Sequence, residues 1–250
     1  MQLTFDGDWR ATVTHDPLHI APRFTGDSVD VVQYVDVKER ERFVLDTFGS
    51  KHFMWDTPDI LRFDPDSRKL VGAEFQLPYG CPSCETSHRV PVMPALRPGG
   101  LRADEVQDFR HEMCPVLCRV PGDTVLTCLR HLDVLDEPLE ARIGIARGVA
   151  LLVQHGTVVG WSLTDPAQYL TTPYTDPDPN PPSPATRQLL TECLNLVTDP
   201  VIYDVEDREP AALARLRAAD EALRDQCEDR HRADTLREMI ANLVDIYGNW

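Results

Sequence analysis

Between Thr171 and Ser183 the chain carries five prolines, four of them within Asp176-Pro177-Asp178-Pro179-Asn180-Pro181-Pro182. Proline fixes φ and has no N–H to give, so neither a helix nor a strand ladder crosses this stretch. It is predicted to be a stiff exposed connection, with Asp176 and Asp178 as solvated spacer acids. The sequence changes character across it. Residues 1–170 read as a strand-rich domain, 171–183 as a Pro/Asp-rich linker, and 184–250 as a helical C-terminal region packed on the first domain.

The strands are read from hairpins. Ile60-Leu61-Arg62-Phe63 is followed by Asp64-Pro65-Asp66-Ser67-Arg68 and then by Lys69 to Leu77. Proline presets such a turn and aspartate caps its amides. Val149 to Gln154, the turn His155-Gly156, and Thr157 to Leu163 form a second hairpin, with Ile143 and Ile145 on a neighbouring strand. The two returning strands resemble each other. Leu70-Val71-Gly72-Ala73-Glu74-Phe75-Gln76-Leu77-Pro78 and Val158-Val159-Gly160-Trp161-Ser162-Leu163-Thr164-Asp165-Pro166 both place an aliphatic pair before a glycine. A duplicated unit and a chance likeness of short apolar hairpins both account for this. Trp9–Thr14 and Asp30–Val37 have strand composition. Leu101–Met113, with Val106, Phe109 and Met113 at helical spacing, is predicted to be a short helix.

After the linker, Ser183-Pro184 is an N-cap followed by proline at the first helical position. Leu189, Leu190, Cys193, Leu194 and Val197 share one face, and Asp199-Pro200 ends the helix. A second helix starts near Pro210 with Leu213, Leu216, Leu223 and Cys227 on one stripe. A third carries Leu236, Met239, Ile240, Leu243 and Tyr247 to Gly248. Glu228–Arg232 either breaks these two or lies on one long helix. The expected class is α+β: a mixed or mostly antiparallel sheet with two candidate duplicated hairpin units, followed by a helical C-terminal region.

Charge narrows the function classes. Lys and Arg number 25 against 41 Asp and Glu, a formal charge of −16. Such a chain repels phosphate backbones and anionic membrane surfaces and attracts basic partners, so no nucleic acid and no membrane partner is expected. Solubility alone also accounts for the charge. A hydrophobic content of 42% excludes disorder throughout. No apolar run reaches the roughly 18 residues of a membrane helix. Met1–Asp6 lacks the basic start and apolar run of a signal peptide, and a cytoplasmic location is expected. Only Lys38, Lys51 and Lys69 are lysines, a usage typical of GC-rich bacterial genomes.

Seven cysteines in a cytoplasmic chain argue against a disulfide framework. Cys81-Pro82-Ser83-Cys84 and Cys114-Pro115-Val116-Leu117-Cys118 form two elbows of the kind that chelate one ion between them. Cys81, Cys84, Cys114 and Cys118 are therefore candidate ligands of a structural zinc, and His88 or His111 is a candidate replacement for one sulfur. Buried core thiols and a redox pair are the alternatives; the redox pair is disfavoured because Cys81 opens no helix that would lower its pKa. Cys128, Cys193 and Cys227 stand in apolar surroundings and read as core thiols. His15 and His19 flank Pro17, which excludes one helical face for them. His111, Glu112, His131 and Asp133 are candidate acid and base groups, although each reads more readily as a surface or capping residue. No GxGxxG, GxxxxGK[ST], GxSxG or HExxH and no EF-hand loop occurs.

Two functions follow as expectations. One is an acidic bacterial protein acting through protein–protein interaction, an inhibitor or immunity-type protein that neutralises a basic partner. The other is a small acid/base or metal-dependent enzyme acting on a small molecule. The C-terminal helices are also candidate contacts for a homo-oligomer.

Overall fold

A computed structural model describes residues 1–50, 57–82 and 89–248. The strands are β1 (Gln2–Thr4), β2 (Arg10–Val13), β3 (Arg23–Phe24), β4 (Ser28–Val31), β5 (Phe48–Gly49), β6 (Ile60–Phe63), β7 (Leu70–Gln76), β8 (Leu96–Pro98), β9 (Leu101–Ala103), β10 (Val116–Arg119), β11 (Val125–Leu129), β12 (Ala141–Ala146), β13 (Val149–Gln154) and β14 (Thr157–Thr164). The helices are α1 (Val37–Asp46), α2 (Pro184–Leu196), α3 (Val201–Glu206), α4 (Pro210–Asp225) and α5 (Arg230–Tyr247). The class is α+β, with strands before residue 170 and most helix after it.

The strands pair into two sheets. One has five strands in the order β3-β4-β7-β6-β5, all antiparallel. Within the other, β10 pairs β11, β11 pairs β14, β14 pairs β13 and β13 pairs β12, again all antiparallel. These are the same five strands in the same order. The registers agree as well. Leu61 faces Ala73 and Arg62 faces Gly72, after which the register slips and Phe63 faces Leu70. Leu151 faces Trp161 and Leu152 faces Gly160, after which the register slips at the same place and Val153 faces Val158. Val31 faces Ala73 as Cys128 faces Trp161. The expected likeness of two hairpins therefore extends to a repeated five-strand unit.

The glycine in each hairpin sits beside the bulge for a packing reason. A Cβ on Gly160 would lie 2.2 Å from the Cys128 carbonyl oxygen, and one on Gly72 would lie 2.7 Å from the Phe43 ring carbon of α1. A side chain at Gly160 would push β11 off the strand, whereas one at Gly72 would displace the tip of the Phe43 ring. In the β13–β14 turn both His155 (φ 51°) and Gly156 (φ 72°) are left-handed, as a two-residue hairpin turn requires.

The second sheet is extended by strands from outside the repeat. β8 adds to β12 in parallel, and β1 meets β14 in parallel at Thr4–Thr157, carrying β2 and then β9 with it. Here Leu101–Met113 departs from the expected helix. Leu101, Arg102 and Ala103 pair with Val13, Thr12 and Ala11, and Asp104 to Met113 contains no helix. Pairing with β2 overrides the local periodicity, and Val106 remains exposed. Likewise the expected strand at Asp30–Val37 ends at Val31. Asp36 instead caps α1, accepting a hydrogen bond from Glu39 N at 2.8 Å.

One core joins the repeats and the helices, holding Phe24, Phe63, Phe75, Trp161, Leu190, Leu194, Leu223 and Leu236 together. Phe75 and Trp161, one from each repeat, meet with ring centroids 5.2 Å apart. Glu228–Arg232 does contain a break: α4 ends at Asp225 and α5 begins at Arg230. That leaves Cys227 exposed instead of in the core, with its thiol donating to Asp225 O at 3.4 Å. The proline segment is pinned, not free. Fully buried Arg232 donates to Asp178 O at 3.0 Å, Asn180 O at 2.7 Å and Asp229 Oδ1 at 2.8 Å. Asp176 holds buried Arg23 at 2.8 Å.

Candidate functional site

The N-terminal strand ends in a tight turn. Phe5 N donates to Trp9 O at 2.8 Å, and Gly7 (φ 67°) and Asp8 (φ 61°) adopt left-handed backbone between them. The turn presents Asp6 to one side and Trp9 to the other. Trp9 stacks on Phe109 at 3.9 Å and 14°. Phe5 lies edge-on to His111 at 5.4 Å.

Asp6, His111 and Arg130 meet at one point. Arg130 Nη2 lies 2.8 Å from Asp6 Oδ2 and 2.7 Å from His111 Nδ1. The Glu112 amide donates to the same carboxylate oxygen at 2.8 Å. The same Nδ1 lies 3.2 Å from Asp6 Oδ2, so the imidazole touches both the carboxylate and the guanidinium. Burial works against ionisation of Asp6. The neighbouring imidazole, the Arg130 charge and the Glu112 amide outweigh burial and bring its pKa down to about 2.

Behind this group lies Asp59, fully buried. Its Oδ1 accepts from Gln76 N at 2.9 Å, and its Oδ2 has no hydrogen-bond partner among the described residues. Burial pushes its pKa up, against the opposing pull of His111 and Arg130. The Cys114 thiol beside it is also pushed well up, first by burial and then by the charge of Asp59. A thiol held neutral in this way is not a nucleophile.

Two clefts flank Asp6. The larger, about 490 Å³, is lined by Asp6, Asp8, Asp104, Glu105 and Asp108 against Arg10 and Arg110, with Trp9 and Phe109 in its wall. The smaller, about 270 Å³, is lined by Asp6, Glu112, Arg130 and His131 among others. Of the four expected acid and base candidates, Glu112 and His131 thus share one cleft. His111 is buried and lines neither, and Asp133 sits exposed in a 3-10 turn, away from both. Asp6, Asp59 and Arg130 give no local signal in the sequence, because they stand far from His111 along the chain and only the fold gathers them.

The chain leading into the first cysteine elbow touches the second. Leu117 N donates to Gly80 O at 2.9 Å, which sets the chain before Cys81 against the strand that carries Cys118. Burial, followed by the charge of Cys81, pushes Cys118 up to about 11. Cys114 packs in the main core, whereas Cys118 packs in a second cluster with Leu129, Val134 and Leu152. Cys84 and His88 lie outside the described residues. Among the described residues no three His, Cys, Asp or Glu side chains are grouped as metal ligands. No helix among them is long and apolar enough to cross a membrane.

No protein-family model, curated protein or solved structure matches the chain.

Proposed function

We propose that the chain is a binding protein for a basic protein partner, of the inhibitor or immunity type, and that the larger cleft receives a cationic side chain of that partner. The observation that carries this reading is the cleft itself: five carboxylates face two guanidiniums around a stacked indole and phenyl pair. An arginine or lysine entering it meets opposite charge at the rim and apolar ring surface for its stem in the wall. The formal charge of −16 would steer such a partner from a distance. The acid/base reading is weaker. His111 reaches neither cleft, and the Cys114 thiol beside Asp59 is held neutral.

The test uses a fluorescent oligo-arginine peptide as probe. Asp8→Asn with Glu105→Gln removes two rim charges that lie on the exposed surface. The double variant is expected to bind the probe about tenfold more weakly, which is about 1.4 kcal/mol. Asp204→Asn with Glu206→Gln on α3 removes the same charge elsewhere and is expected to leave binding nearly unchanged. Equal loss in both variants, or no binding by the natural chain, refutes the reading.

A structural zinc on Cys81, Cys84, Cys114 and Cys118 is a separate proposal, supported by the contact of the chain leading into the first elbow with the second. Elemental analysis tests it. About one zinc per chain, lost in Cys81→Ser/Cys84→Ser, supports it; metal-free protein whose melting temperature ignores chelator overturns it.

A further inference from the structure

The groove between α2 and α4 encloses about 810 Å³ and is walled mainly by apolar surface. From α4 it is lined along one stripe by Arg215, Ala218, Ala222 and Asp225. Their spacing is three, four and three residues, so the stripe reads the same in both directions except that its charge changes sign. Arg215 and Asp225 stand about 15 Å apart along the helix axis. A second α4 laid antiparallel on the first, about a two-fold axis through the middle of the stripe, brings Ala218 onto Ala222 of the second copy. The same operation brings Arg215 onto its Asp225, and each contact occurs twice.

The two charged ends retain groups that can make these contacts. Arg215 uses Nε and Nη2 to hold Glu192 of α2 at 2.9 and 3.1 Å. Its Nη1 has no hydrogen-bond partner among the described residues. Asp225 is exposed and is the last residue of α4, where the helix end already carries partial negative charge. Its carboxylate pairs with no cation among the described residues, since neighbouring Arg224 is engaged with Asp220 at 2.6 Å. An arginine from another chain would relieve that unfavourable placement. Ala218 and Ala222 are exposed and have no side chain beyond Cβ, so two helices can approach closely there.

We propose that the chain forms a two-fold dimer through the α2–α4 groove, with Arg215 of each copy paired to Asp225 of the other across an alanine contact. The occupant of the groove is a second copy, because the charge pattern is complementary to itself. This site is separate from the acidic cleft, and neither proposal depends on the other.

The experiment is the solution mass of the full chain at micromolar concentration by sedimentation, with helix content followed by circular dichroism. The natural chain is expected at twice its 28.2 kDa mass. Ala218→Glu is expected to return it to monomer with its helix content intact. Asp225→Arg alone and Arg215→Asp alone each place like charges opposite one another, so each variant is expected to be monomeric. Mixing these two variants restores both ion pairs and is expected to restore a dimer. A monomeric natural chain overturns the proposal. So does a dimer that survives Ala218→Glu, or a mixture of the charge variants that stays monomeric.

Discussion

Asp30 on β4 lies directly opposite Glu74 on β7, and in the other repeat the same pair of places holds Thr127 and Ser162. Two carboxylates face to face across a ladder oppose each other's ionisation. Burial first, and the charge of Glu74 second, raise the Asp30 pKa from 3.8 to about 7. The folded chain therefore holds a proton that the unfolded chain has already lost between these two values. Stability is unaffected by this group below about pH 4, falls as pH rises toward 7, and stays lower above it. The full difference corresponds to about 4 kcal/mol. Asp30 keeps part of its surface in water, so the observable loss is about 2 kcal/mol. For a chain of 250 residues that is about 4–8 °C in melting temperature. Asp30→Asn keeps the shape and removes the titration. Melting curves of the two proteins between about pH 4 and pH 8 should meet at the acid end, with the variant the more stable by this amount at the alkaline end. A constant offset across that range would show that the buried pair does not set the dependence.

Asp6 gives the opposite sign. Its pKa is lowered to about 2, so its contribution is present at neutral pH and lost as pH falls from about 4 toward 2. After allowance for its partial exposure this is about 1 kcal/mol, and Asp6→Asn should abolish that part of the acid transition. Gly160→Ala should cost about 3 kcal/mol in urea unfolding because its Cβ meets a strand carbonyl. Gly122→Ala, whose Cβ meets nothing but whose φ is 76°, should cost about 1 kcal/mol. Arg232→Met should cost about 3–5 kcal/mol, since it leaves Asp229 and two carbonyls without their buried donor; a loss under 1 kcal/mol would mean that the proline segment is not held by this residue. Alkylation of the native chain followed by peptide mapping should label Cys227 and leave Cys114, Cys128 and Cys193 unmodified until denaturant is added.

The hairpins were legible because turn chemistry is local. Asp-Pro-Asp-Ser and His-Gly announce a reversal within five residues of chain. The C-terminal helices were legible because their apolar stripe and proline starts are also local, and α4 begins at Pro210 as its composition predicts. The repeat was visible only at its glycines. Its remaining strands share pairing but not residues, as where Arg23-Phe24 and Cys118-Arg119 occupy the same rungs. The segment from Leu101 to Met113 misled because its spacing suits a helix while β2 offers it a ladder. The group around Asp6 was not legible: the residues that meet there are drawn from the turn after β1, the stretch between β9 and β10, and the residue after β11, and no spacing rule spans those distances.

The parallel contact of β1 with β14 bears on how the molecule is made. Thr4 emerges from the ribosome about 150 residues before its partner Thr157. Throughout that interval the first strand, and β2 with it, has no sheet edge from the second repeat to join. The first repeat can close on itself meanwhile, since all five of its strands precede residue 77. The residues that line the acidic cleft all precede residue 111, and only the Arg130 contact to Asp6 comes later. Surveillance by proteases during synthesis would therefore meet a finished first repeat while one edge of β1 still waits for β14 of the second repeat to cover it.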